Sequence, residues 1–434
     1  MAQSSSLERK DRHPRAEWRR DALAFAGLGI VILVLFLSQG TVYSVRVMVE
    51  AGCYALLALG LTIQWGYAGM FNIGIMGFLA AGAASSMLIS FPANPKFWDS
   101  PGPMLVALFI GKLFLCGIAI WIANKADRIG ASRRVKATIV TLVLIASFVI
   151  ISNHMASMSK EIESTSGWIG GLGLPVLLGW AVAGTVAAII AWAVGKICLG
   201  LRSDYLAIAT LGIAAIIKTF LKNADWLTRG TLTVSPLPWP VPTPANGHFV
   251  LARSYYLCVV AVIMVLLYLL LQRAYYAPWG RMMRAIRDNE DAAEAMGKDV
   301  TKRRLQIFVL GCIPMGVGGA MLIHFAQIYD PSAFIDLNYT FLIWVMVILG
   351  GAGNNRGAIL GAVFVYIIWT ASGPIALWLF HLAAYYGHEW IGWQPPSDLD
   401  SRALEMRVFV IGLAITLVLR YAPAGILPEP RARH

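Results

Sequence analysis

Long apolar runs dominate this chain and limit what it can fold into. They recur at lengths of about 20 residues, which is the length of helix that crosses the hydrocarbon core of a bilayer. Apolar residues make up 58% of the 434 residues and charged residues only 13%, about half the charged share of a soluble protein. So few charges could not cover a water-exposed surface. The runs therefore predict an all-α protein that crosses the membrane many times.

The runs divide into about 10 to 12 predicted transmembrane helices. Their predicted bounds are residues 22–38, 42–65, 68–90, 103–123, 137–152, 174–195, 204–221, 254–272, 305–326, 339–352, 357–380 and 404–420. Because the run at 339–352 is short, it either crosses the membrane or enters and leaves on one side. Together the runs define one transmembrane domain at 22–427, between tails at 1–21 and 428–434.

Basic residues predict how the chain is oriented. The net charge is +12, which in a soluble protein would suggest a nucleic acid partner. Here the Lys and Arg residues lie mostly between the spans. The expected partner is therefore membrane lipid and not nucleic acid. Most of them fall on alternate connections, with dense groups at 1–20, 124–136 and 273–304. Because cytoplasmic loops carry an excess of Lys and Arg, both tails are predicted to be cytoplasmic.

The sequence lacks the motifs of common catalytic sites. No G-x-x-x-x-G-K-[ST] phosphate-binding loop occurs, since the Gly195-Lys196 pair, for example, is followed by Ile197. No G-x-S-x-G nucleophile elbow occurs either. The five cysteines are scattered and show neither metal-ligand nor disulfide spacing. The chain is therefore predicted not to be an enzyme, to hydrolyse no ATP itself, and to need no cofactor or metal.

The longest predicted cytoplasmic loop, at 274–304, contains a short amphipathic helix. Its narrow apolar face consists of Ala285, Ile286, Ala292, Ala293 and Met296. Arg287 is placed to pair with Asp291 one turn later, and Gly297 can end the helix in a left-handed conformation. Because the small Ala side chains bury too little area for firm membrane binding, the face suits a groove on another protein. A solvated surface helix is the alternative.

This loop also carries a family resemblance. Asp291-Ala292-Ala293, followed after three residues by Gly297, resembles the E-A-A-x-x-x-G loop of ABC importer permeases, with Asp in place of Glu. Ile307 stands at the later isoleucine of that pattern, although the Leu-Pro that would follow it is absent. In that family the loop forms a coupling helix that docks into an ATPase. The residues that the resemblance assigns to coupling are Arg284, Arg287, Asp291, Ala292, Ala293 and Gly297.

Three further segments resemble the branched-chain amino-acid branch of the same family. They are R-x-x-Y-L-A-I-x-T-L-G at 202–212, the glycine-rich stretch at 350–361, and P-x-G-I at 423–426. Their order and spacing agree over 40–90 and 195–427. Residues 101–165 have no counterpart and are interpreted as an inserted helix pair. Ile75 and Ala84 stand where the family usually shows His and Tyr, which leaves the exact substrate open.

The resemblance implies a subunit of a larger importer in the bacterial inner membrane. Its implied partners are a homologous second permease subunit, two cytoplasmic ATP-binding subunits and a periplasmic substrate-binding protein. The implied cargo is branched-chain amino acids or similar small neutral solutes, with urea and short amides as the alternative. A secondary transporter or channel is the alternative from another class. It would be expected to carry acidic residues within its spans, and the sequence suggests none in the middle of any.

Uncharged polar residues beside glycine-rich stretches predict the substrate path. Transporter sites tend to form where helices are interrupted. Gln64, Tyr67, Asn72 and Thr210 lie near such places, and Asn72 is predicted to come closest to the substrate. Because none of them is charged, a zwitterion or a neutral amide is the expected cargo. Alternatively, Asn72 only caps or cross-links helices.

Overall fold

A computed structural model describes residues 14–125, 132–242, 249–391 and 394–429. The described residues form helices and loops, with two isolated β-bridges and no β-strand. The prediction of an all-α protein is therefore confirmed. The basic loop predicted at 124–136 and the two tails lie partly outside the described residues.

The described residues form 16 α-helices, two of which are extended by π-helical turns. The helices are α1 Pro14–Gln39, α2 Thr41–Leu61 with a π-helical continuation Thr62–Tyr67, α3 Ile75–Ser90, α4 Pro95–Trp98, α5 Gly102–Asn124, α6 Arg133–Thr165, α7 Val176–Cys198, α8 Ser203–Asn223, α9 Asp225–Thr228, α10 Phe249–Tyr276, α11 Pro278–Asp288, α12 Glu290–Ala295, α13 Val300–Ala326, α14 Leu342–Gly350 preceded by the π-helical turn Leu337–Phe341, α15 Asn355–Ile391 and α16 Leu399–Tyr421.

Nine helices of the described residues are long and apolar enough to cross a membrane. They are α1, α2 with its continuation, α5, α6, α7, α8, α10, α13 and α15. Three of the predicted spans differ from this set. The span at 68–90 becomes the shorter helix α3, and the one at 339–352 becomes the short helix Leu337–Gly350. The third, α16, carries several charged residues, including Glu405 and Arg407, within its apolar stretch.

The two short helices are halves of interrupted spans. α3 has 16 residues, which is about 24 Å of helix, and Leu337–Gly350 is shorter still. Neither spans a hydrocarbon core of about 30 Å alone. Their N-terminal ends meet, since the Met76 N–H donates to Thr340 Oγ1 at 3.3 Å. Each half-helix therefore starts inside the bundle and runs toward a different end of it.

Contacts at the helix ends define the two ends of the bundle. The coupling end, named here after the loop 274–304, also holds Tyr67 and Asn355, because the Tyr67 hydroxyl donates to the Asn355 amide. Asn355 also bonds Gln272 near the end of α10. α13 runs from the coupling end to the opposite end, so residues 327–354 cross the whole bundle on their way back. This geometry favours a crossing over a re-entrant loop at 339–352.

Helix α2 lies at the centre of the bundle. Its side chains are buried without interruption from Ala51 to Gln64. Small residues elsewhere bring helix backbones together, and a Cβ added to Gly82 of α3 would lie only 2.5 Å from the Gly316 Cα of α13. Such close backbone contact is common between membrane helices. The central position of α2 allows it to link the two ends of the protein.

Helices α5 and α6, the predicted inserted pair, pack against each other at the edge of the bundle. Phe114 and Phe148 are each 71% exposed, as expected for side chains that face lipid. Lys112 lies in the middle of α5, where a charge is costly without a partner. Its Nζ lies 3.0 Å from Nδ1 of His154 on α6. Because a Lys ammonium only donates, this nitrogen of His154 is the acceptor.

Candidate functional site

Three of the four residues predicted to line the path come together where the interrupted spans meet. Asn72 lies in the irregular stretch between α2 and α3, and its Nδ2 donates to Gln64 Oε1 at 2.8 Å. Its Oδ1 accepts from the Gly74 N–H at 2.8 Å. Thr210 Oγ1 accepts from the Ile73 N–H at 3.2 Å. We call this group, with Thr340 and Trp344, the polar junction.

Thr340 and Trp344 were missed by the sequence analysis. Thr340 caps the first turn of α3 through Met76, and the Trp344 indole N–H donates to the Asn72 carbonyl at 3.1 Å. Both lie in the short apolar run at 339–352. This run is too short for a full span, which indicates an interrupted helix. The exposed end of such a helix needs polar partners.

The polar junction is closed to solvent. The side chains of Gln64, Asn72, Thr210 and Thr340 are at most 1% exposed. Gln64 Nε2 also donates to the Phe308 carbonyl of α13 at 2.9 Å. In this conformation Asn72 cross-links the interrupted helix, as in the alternative role considered for it. A ligand can therefore reach it only after the surrounding helices move.

Replacing Asn72 with Leu is expected to destabilise the junction. The substitution removes the acceptor of the Gly74 N–H and the donor to Gln64, and each buried polar group left unpaired costs about 1–3 kcal/mol. We expect a clear fall in the midpoint of thermal unfolding, measured on the detergent-purified protein. Thr210→Val is the matched control and should have a smaller effect, because it removes one acceptor, for the Ile73 N–H, and a donor to Ala207 of its own helix. An unchanged midpoint for Asn72→Leu would show that the junction contributes no stability.

Tyr67 does not join the polar junction. It ends the π-helical continuation of α2 at the coupling end, where its hydroxyl donates to Asn355 Oδ1 at 2.8 Å. Its ring lies 5.3 Å from the ring of Tyr275. Nothing in the sequence indicated this position. The π-helical turn Thr62–Tyr67 has more residues per turn than an α-helix, which changes the face on which Tyr67 lies.

The amphipathic helix predicted in the coupling loop is in fact two helices. α11 ends at Asp288 and α12 begins at Glu290, because Asn289 adopts an extended conformation with φ −157° and ψ 103°. The Asn289 side chain then caps α12 by accepting from the Ala292 N–H at 3.0 Å, as Asn commonly does at a helix start. The prediction for Gly297 is confirmed, since it has φ 74° just after α12.

The predicted pair between Arg287 and Asp291 is wrong. The break at Asn289 separates the two residues, and Arg287 contacts Glu429 at 3.0 Å and Asp288 at 3.2 Å. It also donates through Nη1 to the Gly66 carbonyl in the π-helical turn of α2. Burial lowers the pKa of Arg287, but the nearby Glu429 and Asp288 carboxylates outweigh it, so that the pKa is raised and Arg287 stays charged.

The other coupling residues divide between an inner and an outer face. Arg284 lies 4.1 Å from the ring centre of Tyr275, and the Tyr275 hydroxyl donates to Glu429. Ala293 is only 8% exposed. The outer face of the α12 region carries exposed residues, namely Asp291, Ala292, Ala295, Met296 and Gly297. Met296 is 78% exposed, so this face has apolar side chains without a partner among the described residues.

An acidic residue lies inside a span. Glu50 is on α2, nine residues after its start at Thr41. It accepts from Arg46 Nε at 3.1 Å and from the Tyr366 hydroxyl at 2.6 Å. Glu50 also falls within the predicted span 42–65, but toward its start, whereas the prediction concerned only the middle of each span.

Comparison with known proteins places the chain in a family. The family model described as the branched-chain amino acid transport system permease component matches residues 43–173 and 139–419. This chain belongs to that family. The two matches to the permease family overlap at 139–173, which includes most of α6 in the predicted inserted pair. The membership confirms the resemblance seen in the sequence, and a multi-pass membrane location with it.

Several curated permeases are similar to the chain over long stretches. The probable branched-chain amino acid transport permease protein LivM of Methanocaldococcus jannaschii is 27% identical, over 87% of this chain and 91% of that protein. The high-affinity branched-chain amino acid transport system permease protein LivM of Salmonella typhimurium is 29% identical, over 43% and 48%. The xylose transport system permease protein XylH of Escherichia coli is 26% identical, over 61% and 62%. No solved structure matches the chain significantly.

Proposed function

We propose that this permease imports branched-chain amino acids, or zwitterions of similar size, in an ATP-driven complex. Its proposed partners are a second, homologous permease, two ATP-binding subunits and a periplasmic substrate-binding protein. The observation that carries the proposal is the coupling loop. It presents an exposed helix, α12, with the family's docking pattern, and Arg287 of the adjacent α11 bonds the Gly66 carbonyl in the π-helical continuation of α2. Both tails of the chain are proposed to be cytoplasmic.

The exposed face of the α12 region supports docking to an ATPase. Ala292 and Met296 present a small apolar surface that is covered by nothing in the described chain. Exposed apolar surface rimmed by polar residues is typical of protein interaction sites. The neighbouring Glu290 is held by Arg304 through contacts of 2.8 and 2.9 Å, so that α12 is fixed in orientation before a partner arrives.

The interrupted spans support an alternating pathway. The polar junction lies where the two half-helices begin, and it is closed in this conformation. Gly74 sits against the carbonyl of Thr210, seven residues into α8, which is about 10 Å from the coupling end of that helix. A site at this depth is reached from either side only after movement of the surrounding helices, as alternating access requires.

Uptake by the complete complex in proteoliposomes tests the function. The permease would be reconstituted with its partner subunits and supplied with labelled leucine, urea or a divalent anion. We expect leucine uptake that requires ATP inside the vesicles and the binding protein outside. Uptake of the anion alone would contradict the cargo. Uptake driven by an ion gradient without ATP would instead support a secondary transporter.

The isolated permease is expected to show no ATPase activity. Its sequence has no phosphate-binding loop of the G-x-x-x-x-G-K-[ST] type, which ATPases of the P-loop class use to hold the nucleotide phosphates. The measurement is phosphate release by the purified chain, before and after addition of the ATP-binding subunits. Hydrolysis that remains with the chain through repeated purification would refute this expectation.

A further inference from the structure

Helix α2 carries a row of polar side chains on one face. Arg46, Glu50 and Tyr54 follow one another at intervals of four residues, and Gln64 lies ten residues further on. At 100° per residue the first three fall within about 80° of one another around the helix. Gln64 follows in the π-helical continuation, where this spacing no longer applies. Most other positions of α2 are small or apolar. The row therefore covers the outer half of α2, and Gln64 of the polar junction follows further along the same element.

The two charged members of the row form a pair with an open side. Arg46 contacts Glu50 Oε1 through Nε at 3.1 Å, and Glu50 Oε2 accepts from Tyr366 of α15. The Arg46 side chain is 57% exposed and that of Glu50 17%. A guanidinium has five N–H donors, so that Arg46 can bind a second carboxylate while it holds Glu50.

The depth of the pair places Glu50 inside the membrane core and Arg46 near its outer edge. The span Thr41–Tyr67 has 27 residues, about 40 Å of helix, and Glu50 lies about 14 Å from its start. That position is inside a hydrocarbon core of about 30 Å. Ionisable residues at such depth almost always face a water-filled cavity or the bundle interior and mark substrate pathways. Arg46 lies one turn nearer the outer end, from which its exposed guanidinium can reach the water at the membrane surface.

Aromatic rings connect the charged pair to the polar junction. The Tyr54 ring stacks on Tyr366 at 4.8 Å and on Tyr339 at 6.1 Å between ring centres. Tyr339 belongs to the first turn of the half-helix Leu337–Gly350, directly before Thr340 of the junction. A continuous line of polar groups therefore runs from the charged pair to the point where both half-helices begin.

We propose that Arg46 and Glu50 bind the charged head of a zwitterionic amino acid as it enters from the end opposite the coupling loop. Arg46 receives the substrate carboxylate, for which its planar guanidinium is suited. Glu50, whose carboxylate oxygens can each accept a further hydrogen bond, receives the ammonium group. This inference rests on the proposed import of amino acids and makes it more specific, because urea or a short amide carries no charged head for the pair to hold.

The test is leucine uptake by the complete complex in proteoliposomes. Arg46→Gln and Glu50→Gln are each expected to lower the uptake rate by about tenfold or more, as loss of a charged hydrogen bond does. ATP hydrolysis stimulated by the binding protein, the yield of assembled complex and its thermal unfolding midpoint should stay close to wild type. Arg46→Lys and Glu50→Asp, which keep the charges, should retain part of the uptake.

A second ion pair of the same spacing provides the control. Asp398 and Arg402 contact each other at 2.8 Å and are both exposed, so that Arg402→Gln should leave uptake within about twofold of wild type. Wild-type uptake in both Arg46→Gln and Glu50→Gln would overturn the proposal. Loss of assembly in these variants and in the double variant that carries both Arg46→Gln and Glu50→Gln would also overturn it, because the pair would then serve only the structure. If the wild-type complex itself fails to import leucine but hydrolyses ATP, the proposed cargo is wrong.

Discussion

Replacing Ala292 with Arg is expected to abolish transport while the permease still inserts into the membrane. Ala292 is exposed on α12, and its hydrogen bonds to Asn289 and Met296 are made by the backbone, which the substitution keeps. A long charged side chain at this position would prevent a close-fitting partner from covering the helix, and burying an unpaired charge is very costly. We expect uptake at background level and loss of co-purifying ATPase subunits, with unchanged amounts of permease in the membrane fraction.

The structure favours Ala292 over the neighbouring Ala293 as the residue to replace. Ala293→Arg would appear equivalent in the sequence, but Ala293 is 8% exposed and packs against the permease itself, so that its replacement would damage the loop as well. Arg281→Gln is a suitable control, because Arg281 is exposed on α11 and its contact is with the Tyr276 carbonyl. Normal uptake by Ala292→Arg at normal expression would refute docking through this face and leave α12 as a solvated surface helix.

Replacing Arg287 with Gln is expected to uncouple ATP hydrolysis from transport. Arg287 joins the coupling loop to the Gly66 carbonyl and to Glu429 near the C-terminal end of the chain. Hydrogen bonds to charged groups contribute about 1.5–3 kcal/mol each, so that their loss should lower transport per ATP by about tenfold. The measurement is the ratio of leucine uptake to phosphate release in the same proteoliposomes.

Two further variants separate this role from a general loss of structure. Arg281→Gln alters an exposed arginine of the same helix whose contact is with the Tyr276 carbonyl, and its transport per ATP should be normal. Glu429→Gln removes one partner of Arg287 but keeps the contact with Gly66, and an intermediate ratio is expected. If uptake and hydrolysis fall together in Arg287→Gln, the residue serves assembly and not coupling.

Hydrophobic length predicted most of the helices but not where they break. A run such as 68–90 reads as one span because its residues are mostly apolar, yet residues 69–74 are not helical and bond in part to side chains. Gln64, Asn72 and Thr210 were found because they stand near glycine-rich stretches, which are visible in the sequence. Thr340 and Trp344 were not found, because their contacts with Met76 and Asn72 join parts of the chain far apart in sequence.

The coupling loop shows the same limit in a different way. Its helical spacing and the turn at Gly297 were visible in the sequence, because both are local properties. The direction of Arg287 was not, because a single extended residue, Asn289, decides it. Glu429, which holds Arg287, is 142 positions further along the chain. Residue roles that depend on tertiary contacts therefore need the structure even where the family is evident.

The meeting of two half-helices by their N-terminal ends has a consequence for the energy supply of the cell. Each helix start carries a partial positive charge, and α3 and Leu337–Gly350 place theirs beside one another, within the bundle at Met76 and Thr340. Paired positive dipole ends of this kind repel protons and metal cations in narrow pores. A passage built around them can admit a solute without net charge and still hold back sodium ions and protons, so that each transport cycle leaves the membrane potential undischarged.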